Sequence, residues 1–127
     1  MMTIFVCVSC RRPTDGGSGE VERPGIELAD TLQSRLAIEA PLRAVVKRVD
    51  CLAVCERPCT VALAGQDKWT YLIGDIDPQL HSEEILSAAL SFEASGNGIV
   101  PLRERPASFR NGVIARVPPL TFKGSDQ

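Results

Sequence analysis

In the N-terminal half of the chain, two short apolar runs flank a segment whose leucines have helical spacing. Residues 3–8 are mostly β-branched and aromatic and predict a short buried strand, and residues 43–49 predict a second one. Between them leucine recurs at every fourth position, which predicts an amphipathic helix over residues 25–39. Because a right-handed crossover joins such strands, we expect them to be parallel and to end at the same edge of a sheet.

The following segment predicts a hairpin and a second helix. Residues 60–64 and 68–73 are apolar strand patterns on either side of the turn formers at 65–67. Asp77-Pro78 is a typical helix start, and apolar residues at helical spacing from Ile85 to Phe92 predict a buried helix face.

The C-terminal part is rich in proline and predicts little regular structure. Four prolines fall between residues 101 and 119, so we expect an irregular tail with at most a short edge strand at 113–117. A chain of this length forms one domain by default. The sequence therefore predicts a single α/β domain over residues 1–122, with element order β-α-β-β-β-α and an irregular C-terminal tail, followed by a disordered end at 123–127.

Composition and charge exclude several classes of protein. The chain is 44% hydrophobic and 24% charged with a formal net charge of −2, which is ordinary for a soluble globular protein and predicts no binding to nucleic acid. No run approaches the roughly 20 apolar residues of a membrane span, which predicts no membrane association. The start Met1 to Val6 lacks the basic region of a signal peptide. We therefore expect a cytoplasmic protein, with thiols in a reducing compartment.

Basic side chains concentrate near the C-terminus. Residues 96–127 carry 5 basic and 2 acidic side chains. Two interpretations stay open, namely contact with an acidic partner and a tail of solvated arginines paired with acids of their own domain. The arginines concerned are Arg103, Arg105, Arg110 and Arg116.

All five cysteines fall into two clusters, and each cluster follows a predicted strand. The first is Cys7-x-x-Cys10 and the second is Cys51-x-x-x-Cys55-x-x-x-Cys59. If the two strands are parallel, both clusters lie at one edge of the sheet. Thiolates are soft ligands that select zinc, cuprous copper or iron-sulfur clusters. The pattern therefore predicts a metal or iron-sulfur site, and spacing alone does not choose between them.

Four ligands from five cysteines leave one thiol over. We predict Cys7, Cys10, Cys51 and Cys55 as the ligands of the metal or cofactor. Cys59 opens the hairpin strand and is interpreted as a buried core residue, a common environment for cysteine. Two alternatives stay open for Cys59: it replaces Cys10 as a ligand, or it is a redox-active thiol beside the site.

A dithiol-disulfide protein is a further alternative. Cys7-x-x-Cys10 follows the first strand, as a redox pair does, but such a pair relies on the positive N-terminus of the next helix. More than a dozen residues separate Cys10 from Pro24, which predicts that the helix start is distant. His81 is the only histidine and is interpreted as part of a solvated helix start, not as a ligand. We therefore predict no catalytic residues and no enzyme activity.

The second cysteine cluster resembles a segment of a known group. Residues 51–58, Cys-Leu-Ala-Val-Cys-Glu-Arg-Pro, are similar to the C-L-G-x-C segment of thioredoxin-like 2Fe-2S ferredoxins, and the predicted element order is the core plan of a thioredoxin-like domain. The whole chain is similar to a family of small bacterial proteins described as predicted metal-binding. The matching segments are Cys7-x-x-Cys10, Cys51-Leu52-x-x-Cys55-x-Arg57-Pro58-Cys59, Tyr71-x-x-Gly74-Asp75-x-Asp77-Pro78, Arg103-Glu104-Arg105-Pro106 and Ala115-Arg116-Val117-Pro118-Pro119.

The resemblance implies a function as well as a fold. It implies a 2Fe-2S cluster, one-electron transfer to a redox partner protein, and a homodimer. Cys7 and Cys10 are closer together than the first two ligands of such ferredoxins, and Ala53 replaces the usual glycine. These departures keep open the alternative of a protein that binds or delivers zinc or another thiophilic metal. The family resemblance connects that alternative to cobalt handling and cobalamin synthesis.

Overall fold

The computed structural model describes residues 2–8, 12–13, 21–22, 24–38, 44–52 and 59–123. Their elements are strands and helices in mixed order, as expected for an α/β domain. The elements are β1 (Met2–Cys7), β2 (Arg12–Pro13), β3 (Val21–Glu22), α1 (Pro24–Ile38), β4 (Ala44–Val49), β5 (Val61–Gly65), β6 (Thr70–Ile73), α2 (Ser82–Ala94), a 3₁₀ turn (Leu102–Glu104), α3 (Ala107–Gly112) and β7 (Val113–Val117).

A five-stranded sheet in the order β4-β1-β5-β6-β7 forms the centre of the molecule. β1 and β4 are parallel, with a register that runs from Met2 opposite Ala44 to Cys7 opposite Val49. The other neighbours in this sheet are antiparallel, and β2 and β3 form a separate two-stranded ribbon. The predicted helix, hairpin and parallel crossover are therefore confirmed.

Both long helices cover the same face of this sheet. α1 packs against β1 and β4, α2 packs against β1 and β5, and the two helices contact each other. In β1, Met2, Ile4 and Val6 are buried in the core, whereas Thr3 and Phe5 are half-buried on the other face. The helices contribute to this core the side chains of Leu28, Ala29, Leu32, Ile85, Leu86, Ala88, Ala89 and Phe92.

The predicted irregular C-terminal tail is wrong for residues 102–112, which include a 3₁₀ turn and α3. Pro101 precedes the 3₁₀ turn and Pro106 precedes α3, each in the capping position with φ of −57° and −64°. The first N–H groups of a helix have no partner within it, so a proline at its start sacrifices no internal hydrogen bond. These prolines therefore begin helical turns, and the short edge strand expected at 113–117 is confirmed as β7.

The start of the second helix also differs from the prediction. α2 begins at Ser82 rather than at Asp77, because the Asp77 carboxylate organises a separate turn. Its Oδ1 accepts the N–H groups of Gln79 and Leu80 at 2.8 and 3.2 Å. The half-buried His81 is the capping residue of α2, and its Nδ1 accepts the Asp77 N–H at 2.9 Å. No described helix is long and apolar enough to cross a bilayer. Residues 124–127 of the predicted disordered end lie outside the described residues.

Candidate metal centre

Three chain segments that carry cysteines meet at one edge of the sheet. Cys7 ends β1 opposite Val49, the last residue of β4. The Cys7 N–H donates to the carbonyl of Thr60 at 3.1 Å, and the Val8 N–H donates to the carbonyl of Val49 at 3.0 Å. These bonds place the end of β1 between the segment leading to Cys51 and the segment leading out of Cys59.

The side chain of Cys7 contacts the segment that leads into the second cysteine cluster. Its Sγ is fully buried and lies 3.9 Å from the carbonyl oxygen of Asp50, the residue before Cys51. Cys51 itself is exposed. The site therefore extends from the interior of the sheet edge to the protein surface. The other two predicted ligands, Cys10 and Cys55, lie outside the described residues.

Cys59 lies on the other face of the sheet from Cys7. Val61 is opposite Val6 in the antiparallel register, so both face the helices, and Cys59 precedes Val61 by two residues. Cys59 exchanges two backbone hydrogen bonds with Ile76 and is fully buried in the hydrophobic core. Cys7 follows Val6 directly and is outside that core cluster. The structure thus places Cys59 where its interpretation as a core residue predicts.

The N-terminus of α1 lies directly against Cys7. A Cβ atom at Gly25 would be 1.8 Å from the Cys7 carbonyl oxygen and 3.0 Å from the Cα of Val8. The expectation that the helix start is distant from the first cysteine cluster is therefore wrong for Cys7. Separation along the chain is a poor guide here, because α1 and β1 pack against each other in the fold.

The donor atoms at this edge suit a thiophilic metal. Thiolate sulfur prefers zinc, cuprous copper and iron-sulfur clusters to hard cations. Within the described part of the chain, no three His, Cys, Asp or Glu side chains form a group that could hold a metal ion. Of the predicted ligands, Cys7 lies beside the residue that precedes Cys51, and the complete set of four thiolates stays a prediction.

The acidic residues near α2 have structural partners away from this edge. Glu83 pairs with Arg35 of α1 at 2.6 Å. Glu84 Oε1 accepts both the N–H and the hydroxyl of Ser108, at 2.9 and 2.8 Å. These hydrogen bonds lower the pKa of Glu84 from its ordinary value of 4.5. The bond from the backbone of Ser108 has the larger effect, and the bond from its side chain has the next largest. Glu84 therefore caps the start of α3, where Pro106 offers no capping side chain.

Three of the C-terminal arginines contact their own domain. The Arg105 guanidinium lies 5.3 and 5.2 Å from the ring centres of Tyr71 and Phe109, and its Nε donates to the Val100 carbonyl at 2.8 Å. Arg110 donates to the Arg105 carbonyl at 2.9 Å. The third, Arg116, lies 4.7 Å from the ring centre of Trp69. Their partners in these contacts are carbonyl oxygens and aromatic rings, so the expected pairing with acidic side chains stays a prediction.

Sequence reasoning found the cysteines but missed Gly25 and Asp50. Gly25 matters through a contact with a backbone atom, and Asp50 contributes a backbone carbonyl. Neither role depends on a chemically distinctive side chain. The one signal available was the Pro24-Gly25 pair at the start of a predicted helix. This pair does not indicate which residue the start of the helix contacts.

Solved structures with the same fold include the thioredoxin-like [2Fe-2S] ferredoxin from Aquifex aeolicus. It is 18% identical, the match covers 95% of this chain and 97% of that one, and the TM-score is 0.60. Two cysteine-to-serine variants of the same ferredoxin match with TM-scores of 0.57 and 0.58, at 18% and 17% identity, over 91% of this chain and 99% of theirs. At this identity the likeness establishes the fold, and the predicted thioredoxin-like domain is confirmed.

The chain has no significant match among curated proteins. Its sequence does match one family profile from residue 4 to residue 119, a range that includes all five cysteines and every strand of the sheet except the first residues of β1. The protein therefore belongs to the family described as protein of unknown function (DUF1636).

Proposed function

We propose that this protein is a small electron carrier whose 2Fe-2S cluster is held by Cys7, Cys10, Cys51 and Cys55. One observation carries the proposal: Cys7 Sγ lies 3.9 Å from the carbonyl oxygen of Asp50, so Cys7 lies beside the segment that leads into the second cysteine cluster although the two are far apart in sequence. A 2Fe-2S centre commonly takes four thiolates, two on each iron, and two paired clusters supply that number.

The surroundings of the site suit one-electron transfer. When bound, the cluster supplies a centre that accepts and releases one electron. Cys7 anchors the site in the buried sheet edge, where hydrogen bonds from β1 to both neighbouring strands hold the backbone still. Cys51 is exposed and brings the site to the surface, where a redox partner protein can approach it. We place this exchange in the cytoplasm.

The likeness to known proteins supports the same proposal. The Aquifex aeolicus protein with this fold is a [2Fe-2S] ferredoxin, and the match extends over 97% of its chain. Both proteins are small domains of one architecture, so a similar cluster site requires no additional domain here. We infer a carrier rather than an enzyme because the solved structures reported above with this fold are of a [2Fe-2S] ferredoxin.

Metal and sulfide content test the proposal. We expect the anaerobically purified protein to be coloured and to hold about two iron and two acid-labile sulfide ions per chain, as a 2Fe-2S cluster requires. A colourless protein with about one zinc ion and no sulfide would support the alternative of a zinc-binding or metal-delivery protein. A metal-free protein with a reducible bond between Cys7 and Cys10 would instead support the dithiol function.

A further inference from the structure

We propose that Gly25 is a positioning residue for the metal centre, and that the α1 N-terminus it admits raises the reduction potential of that centre. The inference rests on the proposed function and concerns a residue outside the cysteine clusters. A Cβ atom at position 25 would lie 1.8 Å from the Cys7 carbonyl oxygen and 2.8 Å from its carbonyl carbon. No real side chain tolerates such distances, so any other residue here must separate α1 from Cys7.

Cys7 cannot move aside to accommodate a side chain. Its N–H is bonded to Thr60 in the segment leading into β5, and the N–H of the next residue, Val8, is bonded to Val49 of β4. These bonds hold the end of β1 from both sides. A side chain at position 25 would therefore displace the start of α1 rather than the strand.

The start of α1 is also held by packing. Leu28 and Ala29, one turn after Gly25, are fully buried in the core, and Leu32 follows on the same face. Glycine at position 25 is thus the residue that lets a packed helix and a hydrogen-bonded strand end approach each other. This close approach places the first turn of the helix beside Cys7. The carbonyl group that Gly25 contacts belongs to the same residue as the thiol that would bind the cluster.

The approach has an electrostatic consequence for a bound cluster. The first N–H groups of a helix lack partners within the helix, and the N-terminus is equivalent to about half a positive charge. α1 has 15 residues, so its aligned peptide dipoles are well developed. A reduced cluster carries one more negative charge than an oxidised one and is stabilised more by this positive end. The first-turn carboxylate of Glu27 opposes the effect in part.

Three alanine substitutions separate this role from ordinary packing. Gly25→Ala disturbs the contact with Cys7. Gly112→Ala creates a backbone clash that involves neither Cys7 nor α1, because its Cβ would lie 2.7 Å from the Gly74 carbonyl oxygen. Gly96→Ala is the neutral control, because a Cβ there meets no atom within 4 Å.

Reduction potentials of the three variants, measured by redox titration followed by electron paramagnetic resonance, test the proposal. We expect Gly25→Ala to lower the reduced-to-oxidised ratio at a fixed applied potential about tenfold, which is about 59 mV for a one-electron couple. Gly112→Ala should lower the thermal stability without moving the potential, and Gly96→Ala should change neither. A potential in Gly25→Ala equal to that of the unchanged protein would overturn the inference.

A second pair of variants covers the case in which Gly25→Ala does not fold. Glu27→Gln removes a negative charge from the first turn of α1 without touching Cys7, and we expect it to raise the potential. Glu104→Gln removes a charge that is also exposed, from the 3₁₀ turn, and should leave the potential unchanged. Equal potentials in these two variants would contradict the electrostatic role of the helix start.

Cobalt binding distinguishes failure of this inference from failure of the proposed function. If the unchanged protein assembles no iron-sulfur cluster but binds Co²⁺ through thiolates, the cluster proposal fails. The positioning role then predicts a roughly tenfold weaker Co²⁺ affinity for Gly25→Ala than for Gly112→Ala, since a ligand that packs against a displaced helix is held less firmly. Equal affinities, or no binding by the unchanged protein, would overturn the positioning role.

Discussion

Cys7 and Cys59 approach the same edge of the sheet but direct their side chains to opposite faces. The Cys7 N–H is bonded to Thr60, the residue after Cys59, so the two backbones are neighbours. Cys59 faces the helix-covered core, whereas Cys7 Sγ contacts the carbonyl of Asp50. The two thiols therefore lie in different surroundings and should respond differently to substitution.

Cysteine-to-serine variants test this division. We expect Cys7→Ser, Cys51→Ser and Cys55→Ser each to lose most of the bound iron, because a hydroxyl is a poor substitute for a thiolate. Cys59→Ser should retain the iron but lower the free energy of unfolding by about 1–3 kcal/mol, because it buries a hydroxyl in an apolar core. Iron analysis and urea denaturation measure the two effects. Loss of iron in Cys59→Ser with retention in Cys10→Ser would make Cys59 the fourth ligand.

Glu84 and Ser108 provide a pH-dependent contribution to stability. We expect Glu84→Gln to lower the free energy of unfolding by about 1 kcal/mol at neutral pH, because charge-assisted hydrogen bonds are stronger than neutral ones. The two bonds from Ser108 lower the pKa of Glu84 in the folded protein below its ordinary value of 4.5. The stabilisation is therefore complete above the unfolded-state pKa and is lost as the pH falls through the folded-state pKa.

Urea denaturation at several pH values checks this expectation. The difference between the unchanged protein and Glu84→Gln should be largest above pH 4.5 and should decrease at lower pH. Glu83→Gln is a matched control on the same helix turn, because its ion pair with Arg35 is largely exposed and contributes little. A difference that stays constant down to strongly acidic pH would refute the assigned role of Glu84.

Tyr71 connects the C-terminal segment to the sheet through a buried hydrogen bond. Its hydroxyl accepts the N–H of Val100 at 3.1 Å and a guanidinium N–H of Arg105 at 3.3 Å. Tyr71→Phe keeps the ring but leaves the buried Val100 N–H without this acceptor. We expect a loss of about 1–3 kcal/mol in the free energy of unfolding, with faster hydrogen exchange at the Val100 amide. Unchanged stability and exchange would show that another group takes over the bond.

Local periodicity predicted the elements that position the site. The spacing of leucines in α1 and the β-branched runs of β1 and β4 identified a crossover whose strands end together, which is why the meeting of Cys7 with the Cys51 segment was predictable. Such patterns report which face of an element is buried, and burial determines the packing of this part of the chain.

Other features depend on contacts that no local pattern contains. Pro101 and Pro106 indicated irregular structure, but their effect depends on whether a helical turn follows them, and Glu84 of another helix caps one of those turns. The role of Gly25 depends on which backbone atom faces it across the fold. Tertiary packing determines these relationships, and the sequence near each residue does not.

A reductive titration tests the central claim most directly, because it counts the electrons that the protein accepts. We expect the anaerobically purified protein to take up about one electron per chain and to develop the paramagnetic signal of a reduced 2Fe-2S cluster, which then disappears on reoxidation. The signal should be absent from Cys51→Ser and present in Cys59→Ser. Two results would contradict the proposal of a 2Fe-2S electron carrier. In one, the protein accepts no electron and gives no signal; in the other, it accepts two electrons because a disulfide is reduced to two thiols.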